Sequence, residues 1–316
     1  MVPRRAPDPE KLREGNPVAI ARAISMVEND ADGSTDLLRR LFPLTGRSYR
    51  IGVTGPPGAG KSTITSKLAR HYSRNNYSVG IIAVDPTSPF TGGALLGDRV
   101  RMTDVEMDSG VFIRSMASRG SLGGLSRKAV EAADVLDAAG KDVILLETVG
   151  VGQSELDIAG AADTTIVVLV PESGDSIQAM KAGLMEIADF FVLNKADRAG
   201  ADQAVMAIQM ILNFRQSGGW NADVLKSVAS DGIGIPELVA KVAEHRAYLE
   251  RTGNLVRKRQ ERLERRVQEL VAGRLNVDFW SDERVALLER RLDALAAKES
   301  TPWDVARELV ESYQKL

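Results

Sequence analysis

The chain has 316 residues, of which 44% are hydrophobic, enough for a sizeable core and more than one average domain requires. Its formal net charge of −2 gives no overall attraction to nucleic acid or to an anionic membrane surface, and its lack of cysteine excludes disulfides and thiolate metal sites. No apolar run reaches the ~20 residues of a bilayer span, and the N-terminus lacks the apolar core of a signal peptide. We therefore expect a cytoplasmic protein with no nucleic-acid or membrane partner.

Residues 1–47 are predicted to form a helical extension. Asn16 is followed by proline, the arrangement of an N-cap before the first helical position. Ile20, Ile24 and Val27 then recur at helical spacing. Ser34 begins a Ser-Thr-Asp sequence that predicts the cap of a further helix. We interpret the extension as a layer packed on the main domain, in preference to a separate binding module.

The next feature is a glycine-rich run, GPPGAGKST, which fits the P-loop pattern G-x-x-x-x-G-K-[ST] at every fixed position. An apolar strand precedes it and a helix follows, as this motif requires, whereas an ordinary Gly/Pro turn would not need these flanks. Backbone N–H groups and the helix N-terminus of such a loop bind phosphate oxygens. Lys61 is placed to reach the β- and γ-phosphates, and Ser62 to ligate Mg²⁺. The predicted phosphate-binding residues are Gly55, Pro56, Pro57, Gly58, Ala59, Gly60, Lys61, Ser62 and Thr63.

Apolar runs alternate with helical stretches throughout residues 48–248. Several runs are continuous, which is typical of strands buried on both faces of a parallel sheet. The pattern predicts a doubly wound, mostly parallel α/β domain, whose ligands bind beyond the carboxyl ends of the strands. The predicted strands are Ile51–Thr54, Val79–Val84, Val111–Ser115, Val143–Glu147, Thr165–Val170, Phe190–Leu193 and Val224–Val228.

A second motif, DPTSPFTGGALLGDR, covers residues 85–99 at the end of a predicted strand. Asp85 and Asp98 bracket a Pro/Gly-rich stretch of the kind that reorganises when a γ-phosphate or Mg²⁺ binds. Each aspartate is a candidate for the Mg²⁺ shell or for holding the attacking water. A helix-cap or turn role for either is equally compatible with the spacing.

A third motif begins where an apolar strand ends in a carboxylate, Glu147. This is the Walker B arrangement, which tethers Mg²⁺. The backbone N–H of Gly150 is placed to meet the γ-phosphate, and Gln153 is a candidate for positioning water. Together with the P-loop, these patterns predict a catalytic set of Lys61, Asp98, Glu147 and Gln153.

A fourth motif, Asn-Lys-Ala-Asp, follows the sixth predicted strand. The carboxylate of Asp197 can accept two parallel hydrogen bonds from guanine N1–H and N2–H₂. Adenine lacks that donor pair, so the motif predicts a preference for GTP and GDP over adenine nucleotides. A stretch after the last strand is predicted to approach guanine O6 with backbone N–H groups. The predicted base-binding residues are Asn194, Lys195, Asp197, Ser227, Val228 and Ala229.

Residues 249–316 change in composition to Arg, Lys, Glu and Leu. Apolar side chains form helical stripes among the charges at Val256–Val271 and at Val285–Leu295. Helices this charged bury little surface alone, so they either fold back on the main domain or pair with a second subunit. We expect a helical dimerisation arm.

The stretches 85–99, 119–124 (RGSLGG) and 147–155 (ETVGVGQSE) together resemble the MeaB/ArgK family of P-loop GTPases, and the resemblance covers nearly the whole chain. It implies a homodimer formed through the C-terminal arm. It also implies GTP hydrolysis that controls loading and protection of the cofactor of adenosylcobalamin-dependent methylmalonyl-CoA mutase.

The resemblance also assigns roles to individual residues. The Mg²⁺ shell that it implies consists of Ser62, Asp85, Asp98 and Glu147. A third switch, which relays the nucleotide state to the mutase, is implied around Asp175, Gln178 and Lys181.

Three alternatives remain open at this point. A transport-linked kinase or ATPase is disfavoured by Asp197. A metal-insertion GTPase is disfavoured because the chain has no cysteine and only two histidines. A nucleotide sensor that acts as a scaffold without hydrolysis is compatible with the sequence. The sequence also leaves the client open, since an isobutyryl-CoA mutase or another acyl-CoA mutase shares the cofactor.

Overall fold

The structure is a computed structural model. It describes residues 9–85, 108, 110–117, 127–148, 154–173, 182–213 and 219–314. The chain forms two compact units, residues 1–255 and 256–316. The first unit contains the sheet and the second is helical.

The seven strands of the first unit are those that the apolar runs predict, each end within two residues of its predicted position. They are β1 (Tyr49–Thr54), β2 (Val79–Asp85), β3 (Val111–Ala117), β4 (Val143–Glu147), β5 (Thr164–Leu169), β6 (Phe190–Asn194) and β7 (Val224–Ser227). They form one sheet in the order β3-β2-β4-β1-β5-β6-β7. Every pair of neighbours is parallel. The predicted doubly wound α/β fold class is confirmed.

Helices lie between most of the strands, before β1 and after β7. They are α1 (Pro9–Arg13), α2 (Pro17–Glu28), α3 (Ser34–Leu41), α4 (Lys61–Arg74), α5 (Arg127–Ala138), α6 (Ser154–Ala161), α7 (Ala182–Ile187), α8 (Ala201–Asn213), α9 (Ile235–Arg251), α10 (Asn254–Phe279), α11 (Asp282–Ala296) and α12 (Pro302–Gln314). Short 3₁₀ turns lie at Phe42–Leu44 and Pro171–Ser173.

The sheet is buried on both faces, which explains why several of its strands are continuously apolar rather than alternating. One face packs against α4 and α9, with Val53 and Leu145 in that core. The other face packs against α2, α5 and α6, with Ile144 and Leu146 in that core. A third apolar cluster joins β5, β6 and β7 to α7 and α8. Since both faces are covered, ligands approach at the carboxyl edge of the strands.

The N-terminal helices belong to the core of the first unit. Ile20, Ile24 and Val27 of α2 are fully buried with residues of α5. The carboxamide of Asn16 accepts hydrogen bonds from the first backbone N–H groups of α2, as predicted. The predicted cap at Ser34 is wrong: the N-cap of α3 is Gly33, whose φ of 82° is a left-handed conformation that favours glycine.

The C-terminal unit consists of most of α10 together with α11 and α12. Arg291 of α11 makes two hydrogen bonds of 3.0 and 2.6 Å to Glu308 of α12. The hydroxyl of Thr301 caps α12, since it accepts from the backbone N–H of Asp304 at 3.2 Å. Helix α10 has no buried residue. Its exposed apolar residues are Val256, Leu263, Val267, Leu270, Val271, Leu275 and Val277.

Candidate nucleotide-binding site

The P-loop connects the end of β1 to the first turn of α4. Gly55, Gly58 and Gly60 have φ values of 134°, 75° and 94°, which other residues rarely adopt. A Cβ on Gly55 would lie 2.1 Å from the carbonyl oxygen of Val168, so the loop passes directly over β5. Glycine is therefore required here both by backbone conformation and by space.

Lys61 is the first residue of α4 and is buried beneath the loop. Its Nζ donates hydrogen bonds to the carbonyl oxygens of Gly55 (2.8 Å) and Pro56 (3.0 Å). The first turn of α4 contains no acidic residue. A cationic side chain and a helix N-terminus thus converge on the loop, which is the electrostatic arrangement of an anion-binding site.

Two predicted magnesium ligands meet beside the loop. The hydroxyl of Ser62 donates a hydrogen bond of 2.5 Å to Oε1 of Glu147, a contact between the N-terminus of α4 and the end of β4. Glu147 is buried, with 3% of its surface exposed. The structure therefore brings together two residues that stand 85 positions apart in the chain.

Asp85 is the last residue of β2, and its backbone lies near the same edge. Ala83 of β2 is the register partner of Glu147, so Asp85 follows that pair by two residues. Its side chain is outside what the structure describes. Its predicted metal or water-holding role stays a prediction.

Six other predicted site residues lie outside the described ranges. They are Asp98, Gly150, Gln153, Asp175, Gln178 and Lys181. Their catalytic, phosphate-binding, metal-binding and partner-coupling roles stay predictions.

Asn194, at the end of β6, links the P-loop to the predicted base-binding loops. Its amide nitrogen donates to the carbonyl oxygen of Ala59 at 2.8 Å. Its amide oxygen accepts from the hydroxyl of Ser227 at 3.1 Å and from the backbone N–H of Ala229 at 3.0 Å. The predicted residues on both sides of the nucleotide site are thus held in one hydrogen-bonded network.

The two remaining residues of the base motif differ in exposure. Lys195 adopts a left-handed φ of 57°, and its Nζ donates to the carbonyl oxygen of Gly58 at 2.8 Å. Asp197 is exposed at the carboxyl edge of the sheet. Next to it, Arg198 forms an ion pair with Glu172, and this hydrogen bond lowers the pKa of the glutamate carboxyl. The backbone around the motif is therefore fixed while the Asp197 side chain faces outward.

The last predicted base-binding stretch forms a tight turn after β7. The N–H groups of Val228 and Ala229 donate within the protein, to the carbonyl oxygen of Ile233 (3.1 Å) and to Asn194 (3.0 Å) respectively. Gly234 has a φ of 81°, and a Cβ there would lie 2.3 Å from the carbonyl oxygen of Lys226. The predicted contacts of this stretch with guanine O6 stay predictions.

Sequence reasoning missed a pair of buried threonines beside this site. Thr54, the last residue of β1, and Thr148, directly after Glu147, are joined through their hydroxyls. The available signal was a hydroxyl residue immediately after the Walker B carboxylate. The pattern carried no information about its partner, which is 94 residues away in the chain.

Comparison with known proteins decides the family. The family model described as methylmalonyl Co-A mutase-associated GTPase MeaB matches residues 20–284. The chain belongs to the MeaB family. The resemblance read from the three motifs is confirmed, and this MeaB family member is a P-loop GTPase in sequence as well as in fold.

Relatives of this MeaB family member match it over nearly their full length. A protein of Pyrococcus abyssi whose name is that of a GTPase is 47% identical over 301 residues, covering 94% of this chain and 93% of that one. GTPase ArgK of Escherichia coli is 37% identical over 303 residues, covering 91% and 92%. A crystal structure named LAO/AO transport system kinase superposes with a TM-score of 0.75 at 30% identity, covering 97% and 96%.

No described helix combines the length and the apolar character of a membrane span. The described residues also contain no cluster of three or more His, Cys, Asp or Glu side chains that could hold a metal by themselves.

Proposed function

We propose that this chain binds and hydrolyses GTP with Mg²⁺, and that a cobalamin-dependent acyl-CoA mutase reads its nucleotide state. Methylmalonyl-CoA mutase is the first candidate client, and the proposed role is to gate the loading and protection of its adenosylcobalamin. The observation that carries the nucleotide part is the P-loop with Glu147 held at 2.5 Å from Ser62. The family description supports the mutase part.

The donor set at Ser62 and Glu147 fits magnesium. Hydroxyl and carboxylate oxygens are hard ligands, and Mg²⁺ is usually held by one or two carboxylates together with substrate phosphates. One buried carboxylate beside a P-loop therefore suffices. When bound, Mg²⁺ neutralises charge on the phosphate oxygens as it develops in the transition state.

The chain's own residues supply binding and orientation. The N-terminus of α4 and the glycine-rich backbone are proposed to hold the β-phosphate. Lys61 is anchored by two loop carbonyls, so its charge is fixed where the phosphates are expected. Asp197 selects guanine through its carboxylate, and the bonds of Asn194 and Lys195 to the P-loop hold the backbone that carries it. A GTPase assay that detects Mg²⁺-dependent phosphate release tests this proposal and separates it from a non-hydrolysing scaffold.

The coupling to the mutase is proposed to use Asp175 and Lys181. Both stand in the chain between β5 and α7, and none of the predicted nucleotide-binding motifs includes them. We expect Asp175→Ala and Lys181→Ala to leave basal GTPase activity within about twofold while abolishing its stimulation by the mutase. Steady-state phosphate release with and without the apo-mutase measures both quantities.

Asp36→Ala is the matched control for this test. Asp36 is an exposed aspartate whose ion pair is with Arg39 of the same helix, α3. The mutase should stimulate the GTPase activity of the Asp36→Ala variant as much as that of the unmodified protein. Stimulation of the Asp175 and Lys181 variants to the same level, or no response to any cobalamin-dependent mutase, would refute the coupling role.

We also propose that the chain forms a homodimer through the C-terminal unit. Helix α10 exposes Val267 and Val271, one turn apart, at 58% and 52% of their surface. Burying such a stripe between two subunits removes apolar surface from water.

The double substitution Val267→Glu and Val271→Glu should convert the dimer to a monomer at micromolar concentration, because each places a charge in the proposed interface. Light scattering measures the mass. Gln268→Glu, which adds a charge at an exposed polar position of the same helix, should leave the dimer intact. A monomeric unmodified protein would contradict the proposal.

A further inference from the structure

We infer that Thr54 and Thr148 are positioning residues for the magnesium site, and that their buried hydroxyl pair holds the Glu147 carboxylate against Ser62. This inference rests on the proposed function, because it concerns the metal at that site. It assigns a role to two residues to which the motif patterns give none.

The geometry ties the end of β4 to the end of β1 at consecutive residues. Glu147 is the register partner of Val53. Beyond that pair, the backbone N–H of Thr148 donates to the carbonyl oxygen of Val53 at 3.2 Å. Its hydroxyl donates to the hydroxyl of Thr54 at 2.9 Å. Thr54 and Thr148 are buried, with 0% and 1% of their surface exposed.

The two threonines and the carboxylate lie on opposite faces of the sheet. Leu145, two residues before Glu147, belongs to the core on the α4 side, and Ser62 of α4 contacts Glu147 there. Leu146, two residues before Thr148, belongs to the core on the other side. Successive side chains of a strand alternate between faces, so Thr148 points away from the carboxylate that precedes it.

Because of this alternation, the threonine pair orients the Glu147 side chain through the backbone. Glu147 is the last residue of its strand, and the backbone bond from Thr148 N–H to the Val53 carbonyl ties the peptide that follows it to β1. The hydroxyl pair is a second tie of the same peptide to β1, made by side chains. The hydroxyl pair holds that peptide from one face of the sheet. This sets the direction in which the Glu147 side chain projects from the other face. Without the pair, Glu147 would reach the metal from a wider range of orientations.

The inference is tested by calorimetric titration of Mg²⁺ into the protein–GDP complex. Threonine and valine have nearly the same shape, so Thr54→Val and Thr148→Val remove a hydroxyl with little change of volume. Each should weaken Mg²⁺ binding about five- to tenfold, in line with one buried hydrogen bond. The double variant should match either single variant, because both substitutions break the same bond. Thr148→Ser, which keeps the hydroxyl, should restore binding.

Thr65→Val is the matched control. Thr65 is fully buried in α4, and its hydroxyl has no hydrogen-bond partner among the residues that the structure describes. The Thr65→Val variant should bind Mg²⁺ with the affinity of the unmodified protein. GDP affinity in the presence of a chelator should stay within about twofold for every variant, which a general loss of structure would not allow.

Either single variant tests the pair, so poor folding of one leaves the other informative. Unchanged Mg²⁺ affinity in a folded valine variant would overturn the inference. So would additive losses in the double variant, or a parallel loss of metal-free GDP affinity. If the unmodified protein bound GDP without any Mg²⁺ dependence, the inference would fail while the guanine selectivity stood.

Discussion

Glu147→Gln should lower the rate of Mg²⁺-dependent GTP hydrolysis by about 10²–10³, the scale of losing one fixed electrostatic contact to a transition state. Gln keeps the shape of the side chain and removes the charge that is buried beside Ser62. The metal matters most while charge develops on the transferred phosphate, so the affinity for GDP should change far less than the rate. Glu147→Ala should give the same direction of change with a further loss of packing.

Single-turnover hydrolysis at saturating GTP, with Mg²⁺ varied, measures this effect. Asp142→Asn is the matched control, since Asp142 is an exposed carboxylate just before the start of the same strand. Its rate should remain near that of the unmodified protein. Unchanged turnover in the Glu147→Gln variant would exclude the carboxylate from the catalytic machinery.

Asp197→Asn should weaken GTP binding by at least about 10², because two charge-assisted hydrogen bonds to guanine are lost. The same change should favour xanthine nucleotides, since an amide offers a donor where xanthine carries an acceptor. The exposed position of Asp197 means that its replacement should leave the thermal stability of the fold nearly unchanged.

Competition binding with GTP, XTP and ATP measures the change in preference. Asp202→Asn serves as the control, because Asp202 is an exposed aspartate of α8 that pairs with Lys226 rather than with the base loop. It should keep the preference for GTP. Equal affinity of the unmodified protein for ATP and GTP would show that Asp197 does not read the base.

The strands were predictable because their signal is local. Val143–Leu146, Ile166–Leu169 and Phe190–Leu193 are continuous apolar segments, and burial on both faces of a parallel sheet imposes that composition on each such strand separately. The P-loop was predictable for a similar reason, because the φ values of Gly55, Gly58 and Gly60 strongly favour glycine. The cap of α3 was mispredicted because Ser34 has the chemistry of a cap, whereas the turn before it required the left-handed Gly33.

Contacts between the motifs were decided by the tertiary structure. The amino-acid sequence predicted Ser62, Glu147 and Asn194 as site residues, since each stands at a fixed place relative to a strand end. It contained no indication that Asn194 bonds Ala59, 135 residues away, or that Thr148 bonds Thr54. Which of these residues come close together in space depends on the strand order β2-β4-β1-β5-β6 of the sheet. That order arises from how the helices cover both faces, which is a property of the whole chain and not of any motif.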